Sequence, residues 1–132
     1  MWAGAGIAIT LHTEPETTYY MTDWLQAPLT LTGWSFRPAL GQLLDAAFRS
    51  GGTWNASHWR SPAFDRLASA YDATTSLAQR RAVARRIEQI MTEETPAIIP
   101  YFEALARAVR HNVHGVSADP SADIDLTRAY LS

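Results

Sequence analysis

From residue 6 the chain alternates. Ile7, Ile9 and Leu11 face one way and Ala8, Thr10 and His12 the other, the period-two pattern of a strand with one more apolar face. Thr13 and Glu16 stand at capping-box spacing, and Pro15 suits a first helical turn. A helix to about residue 26 follows, with Tyr20, Met21, Trp24 and Leu25 as its apolar stripe, and Pro28 ends it. Residues 29 to 34, LTLTGW, alternate again and predict a second strand. The spacing of Leu40, Leu43, Leu44 and Ala47 predicts a helix over residues 39 to 48, stopped by Gly51 and Gly52.

The second half reads more sharply. Ser61 is a helix cap with Pro62 at the first position, and Phe64, Leu67, Ala68 and Tyr71 fall at i, i+3, i+4 and i+7. Ser76 and Gln79 form another capping-box pair. The helix they open runs to about Glu93, burying Val83, Ile87, Ile90 and Met91 and showing Arg80, Arg81, Arg85 and Glu88 to solvent. AIIPYF, from Pro96, predicts an apolar strand whose Pro100 confines it to an edge or a crossing between domains. Residues 104 to 110, ALARAVR, predict its partner, and the remaining tail is loop-rich. The order β-α-β-α-α-α-β-β is α/β, a small mixed sheet with flanking helices. So few strands, so apolar, leave sheet faces that another body must cover.

Composition narrows the function classes. The 132 residues suffice for one ordinary domain, and 47% hydrophobic against 18% charged residues suits a packed core. A net charge of -2 gives no cationic footprint for nucleic acid. Cysteine is absent, which removes disulfides and thiolate metal sites. No apolar run approaches the roughly 18 to 20 residues that span a bilayer, and the opening MWAGAGIAITL lacks the basic start and cleavage site of a signal peptide.

Candidate chemistry gathers in two loops. GWSFRPA, residues 33 to 39, joins a strand end to a helix start, the place where open α/β sheets hold ligands. There Trp34 supplies a flat apolar wall, and Arg37 a planar fork that grips a carboxylate beside the amide groups of a helix start. GGTWNASHWRSPAFDRL, residues 51 to 67, adds Trp54, Asn55 and His58 as further ligand contacts. Asn55-Ala56-Ser57 matches a glycosylation sequon, a three-residue pattern of low specificity. His111 and His114, in HNVH, read as a solvated turn rather than a metal site. A hydrolase built on His58 and Asp65 lacks a nucleophile elbow, and Asp65 fits its place in a first helical turn. No phosphate-binding glycine loop, metal site or cofactor is expected.

The runs GIAITL, TGWSFRPA, W-N-x-S-H-W-x-S-P-x-F-D-x-L, E-E-x-P-x-I-I-P-x-F and VHGV together resemble the C-terminal part of family 5 extracellular solute-binding proteins. These are the peptide- and nickel-binding receptors of bacterial ABC importers, non-enzymatic and two-lobed, and the resemblance covers nearly the whole chain. It implies a partial lobe of a type 2 periplasmic-binding-protein fold. Residues 1 to 95 would be part of the C-terminal ligand-binding lobe, and residues 96 to 132 the interlobe crossing and return toward a missing N-terminal lobe. MWAGAGIAI resembles an internal helix end and the strand after it, so the resemblance implies a fragment with Met1 inside a helix. It also implies a periplasmic or other extracytoplasmic location, importer membrane subunits as partners, and a small-molecule or peptide ligand. Peptide-binding members often carry an Asp soon after the strand-end Trp to hold a peptide's amino group. Here SFRPALG has Arg37 and no acid, which favours an anionic ligand. No position matches the nickel receptors' His, and His58 lies elsewhere. Two other classes stand beside this reading: a small standalone interaction module and, less favoured, the hydrolase.

Overall fold

The computed structural model describes residues 2 to 104, 106 to 117, 121 and 123 to 132. A short 3-10 turn, Trp2–Ala5, opens the chain. Helix α1 combines a single α-helical turn, Glu16–Thr18, with π-helical turns over Tyr19–Asp23. Helix α2 has the same two-part form, Leu40–Leu43 followed by Leu44–Phe48. Helices α3, Pro62–Ala73, and α4, Leu77–Glu94, are regular. Val113–His114 (β1) and Tyr130–Leu131 (β2) pair antiparallel, with Val113 opposite Leu131 and His114 opposite Tyr130. Gly115 turns the chain after β1 with φ +75, where a side chain would meet the Arg128 carbonyl. Helices with one small sheet make the architecture α/β in a loose sense.

The core sits between α2, α3 and α4. Phe64 and Ala68 of α3 are fully enclosed, and Leu67 of α3, Leu44 of α2 and Ile87 of α4 close around them. Phe48, Trp59, Tyr71, Val83, Ile90 and Met91 pack against this cluster from its rim. The periodicity that predicts these faces packs in α3 and α4, but in α2 Leu40, expected to be buried with Leu43, Leu44 and Ala47, is 42% exposed. Ser61 caps α3 as expected, its Oγ accepting from the Phe64 N–H at 3.4 Å. The other two capping boxes do not form. Pro15 occupies the N-cap of α1, and Ser76 caps α4 by position with no side-chain hydrogen bond. Thr95 ends α4 in the left-handed region, φ 45.

The strands expected over residues 6 to 12, 29 to 34, 96 to 102 and 104 to 110 are not strands in the structure; residue 105 lies outside the described residues. Alternation encodes a face, and a face becomes a strand only where a neighbour supplies the ladder. Among the described residues none pairs with these segments. Their side chains stay in solvent: Leu11 is 82% exposed, Leu31 76%, Ile98 70% and Phe102 90%. In consequence the chain presents 10529 Å² to solvent. A compact monomer of its mass exposes about 6,900 Å².

Replacing Phe64 by Ala removes the centre of the only packed cluster among the described residues. The expected cost is about 3–5 kcal/mol in urea unfolding, while Leu31→Ala, on the uncovered surface, changes stability by less than about 0.5 kcal/mol.

Candidate functional site

The loop between α2 and α3 is built by its own hydrogen bonds. Gly52 lies against the end of α2, where a β-carbon would sit 2.6 Å from the Ala46 carbonyl, so only glycine passes. The Trp54 N–H then donates to that same Ala46 oxygen at 2.8 Å. Asn55, 8% exposed, donates from Nδ2 to the carbonyls of Arg49 (3.1 Å) and Trp59 (2.8 Å), and its Oδ1 accepts from Ser57 Oγ. Asn55 is thus the internal brace of the loop, and its side chain is committed to backbone rather than offered to a ligand. His58 is exposed and sits in the left-handed region at φ 53, and among the described residues its ring has no hydrogen bond. Its backbone N–H donates to the Asn55 carbonyl at 3.1 Å, within the loop.

Arg49, which sequence reasoning passes over, ties the loop to α3. Its guanidinium donates to the Asp65 carbonyl (3.1 Å), Ser69 Oγ (2.8 Å) and Asp72 Oδ2 (3.0 Å), and also pairs with Asp45. The Asp65 carboxylate accepts from the Ser50 N–H at 3.0 Å. Burial pushes the Asp65 carboxyl up, but the hydrogen bonds from Ser50 and the nearby Arg49 charge outweigh it and hold the group below its ordinary value. Asp65 is therefore engaged with Ser50, and no hydrogen bond joins it to His58, so the pairing a hydrolase would need is not formed.

At the far end, Trp59 Nε1 donates to Glu94 Oε2 at 2.8 Å, and Ser61 Oγ reaches Glu94 Oε1 at 3.4 Å. The HWRSP and EETP stretches, 33 to 35 residues apart, are thereby joined through one carboxylate.

With the loop fixed, Trp54 meets Trp34 at a centroid distance of 6.0 Å, and the Arg37 guanidinium carbon lies 5.9 Å from the Trp54 ring centre. Three of the five expected ligand contacts, Trp34, Arg37 and Trp54, converge. Trp24 of the α1 end joins them, 6.3 Å from Trp34 and 6.2 Å from Trp54, and Tyr20 continues the row at 5.2 Å from Trp24. Trp34 and Trp54 are each 38% exposed, so the cluster is a platform with an open face. Trp24 Nε1 is buried with no hydrogen-bond partner, a donor left unused within it. Arg37 Nη1 donates to the carbonyls of Phe36 (3.1 Å) and Ser35 (3.4 Å), and among the described residues no acid pairs with it. Tyr20 and Trp24 enter the platform from an element read only as packing. Their stripe on α1 was visible, but the partner it meets was not.

Two open depressions lie elsewhere. One, about 320 Å³, is lined by Gly41, Gln42, Asp45, Asp72 and Arg80, whose charges are already engaged by Arg49 and the Thr74 carbonyl. The other, about 420 Å³, is apolar, between Phe48, Met91, Ile98 and Ile99. Of the two histidines in HNVH, His114 stacks on Tyr130 and bonds Ser132 Oγ at 2.9 Å, a structural use. A different group, His12, Glu14 and Asp23, brings its ligand atoms within 4.8 Å of one another. Sequence reasoning missed it because two members precede α1 and the third is its last residue. Burial raises the Glu14 carboxyl above its ordinary value, Asp23 raises it further, and His12 acts the other way. Among the described residues no helix is long and apolar enough to cross a membrane.

Asn55→Ala takes the side-chain donor from the Trp59 carbonyl and leaves the Arg49 carbonyl with the Gly52 N–H alone. Chemical denaturation is expected to show a loss of about 1–3 kcal/mol, against less than about 0.5 kcal/mol for the exposed His58→Ala. Compared with known protein families and with curated proteins, the chain matches no family model and no curated sequence.

Proposed function

We propose that this chain is the ligand-contacting part of a non-enzymatic solute receptor of the ABC-importer type, and that its ligand is a peptide-like or other small solute bearing a carboxylate. The observation that carries the reading is the meeting of Trp34, Arg37 and Trp54 from two loops. Aromatic faces take the apolar body of a ligand. A guanidinium not engaged by an acid takes its anionic end by two charge-assisted hydrogen bonds. The platform is open rather than enclosed, which suits one wall of a cleft whose second wall belongs to another lobe. The uncovered apolar segments at residues 6 to 12, 29 to 34 and 96 to 102 support the same reading, since a second lobe would cover them. Capture then works by closure: each lobe holds part of the ligand, and the ligand stabilises the closed arrangement.

The exposed apolar surface also favours one alternative, a small module that associates through it. Arg37 separates the two. Tripeptides with a free C-terminal carboxylate, titrated while tryptophan fluorescence is read, are expected to bind more tightly than their amidated forms. Arg37→Ala is expected to weaken the free-acid peptides by about 10- to 150-fold, the loss of a charge-assisted hydrogen bond of about 1.5–3 kcal/mol. Equal affinity of Arg37→Ala and parent for every anionic peptide removes Arg37 from the site.

A further inference from the structure

We propose that His12, Glu14 and Asp23 form a binding site for a divalent transition-metal ion of the zinc type. His12 Nε2 lies 4.0 Å from Glu14 Oε2, and all three ligand atoms fall within 4.8 Å of one another. None of the three belongs to the motifs that carry the receptor resemblance, and none is one of the aromatic residues of the platform.

Three observations favour a cation. Two carboxylates, Glu14 and Asp23, bring ligand oxygens within 4.8 Å of one another, and like charges so placed repel unless a proton or a cation is held between them. The Glu14 side chain is 13% exposed, and among the described residues its buried Oε1 has no hydrogen-bond partner, so that oxygen has lost water and keeps a free lone pair. Asp23 ends α1, where the helix presents the negative end of its dipole, which favours a cation and disfavours a further anion.

The donor set selects the class of metal. One imidazole nitrogen with two carboxylate oxygens suits a borderline ion such as zinc. Calcium takes 6 to 8 oxygens, roughly twice what these residues supply. Three protein ligands leave a fourth tetrahedral position for water or a small ligand. Bond lengths of about 2.0–2.2 Å require the donors to close to about 3.4 Å. His12, 77% exposed, is free to swing in and make that adjustment.

Zinc ion alone, titrated calorimetrically into chelator-treated protein in a non-coordinating buffer near neutral pH, tests the site. The expected result is one ion per chain. His12→Ala and Asp23→Asn are each expected to weaken binding by about tenfold or more, while His58→Ala binds as the parent does. Because His12 is exposed, His12→Ala keeps the parent's far-UV circular dichroism, so its loss of binding reports the ligand and not the fold. Absence of saturable binding overturns the site. So does parent-like affinity in His12→Ala, and so does binding that is lost in His111→Ala instead, which would move the ion to the HNVH histidines.

Discussion

The Phe64 ring is the point at which the rest of the structure is held. It is completely buried, with Trp59 at 4.8 Å and Phe48 at 6.5 Å between ring centres, and with Leu44 and Ile87 completing its enclosure. One residue thus gathers α2, α3, α4 and the α2–α3 loop. The hydrogen bonds around it fix how those pieces meet. Arg49 clamps the end of α2 to α3, Asn55 braces the loop, and Glu94 receives Trp59 and Ser61 from the other side. Apolar burial supplies the attraction, and these polar contacts choose the arrangement.

The platform inherits its geometry from that core. Gly52 lets the chain pass the end of α2, and the Ala46 carbonyl then sets the Trp54 backbone. Trp54 in turn receives Trp34, Trp24 and Arg37. Its aromatic members are therefore anchored on one side by a packed helix layer and open on the other. A rigid support with an open aromatic face is what a binding wall requires.

What was legible in the sequence was whatever is settled within one helix. The i, i+3, i+4 spacing of Phe64, Leu67 and Ala68 gave the buried face of α3, and Ser61-Pro62 gave its start. Trp34, Arg37 and Trp54 were legible as chemistry because aromatic and guanidinium groups stand at loop positions. The particular partners of Asn55 and His58 were not. Whether a polar loop residue faces a ligand or its own backbone depends on carbonyls that sequence spacing does not place, and Asn55 found two of them. Arg49 and the His12, Glu14 and Asp23 group were missed for the same reason, since their partners are set by tertiary approach. The alternating segments were read as strands because period two signals a sheet face. The ladder that would make them strands is a non-local property, and the pattern carries no information on where the partner lies.

The central claim is that one packed helical layer supports segments built to be covered by another body. Amide hydrogen exchange on the chain alone tests it most directly, because protection tracks local opening. Slow exchange is expected in Pro62–Ala73 and Leu77–Glu94, where the buried core lies. Residues 6 to 12, 29 to 34 and 96 to 102 are expected to exchange at nearly unprotected rates. Strong protection of those segments in the isolated monomer, equal to that of the helices, would mean that they already form a covered sheet, and would contradict the account.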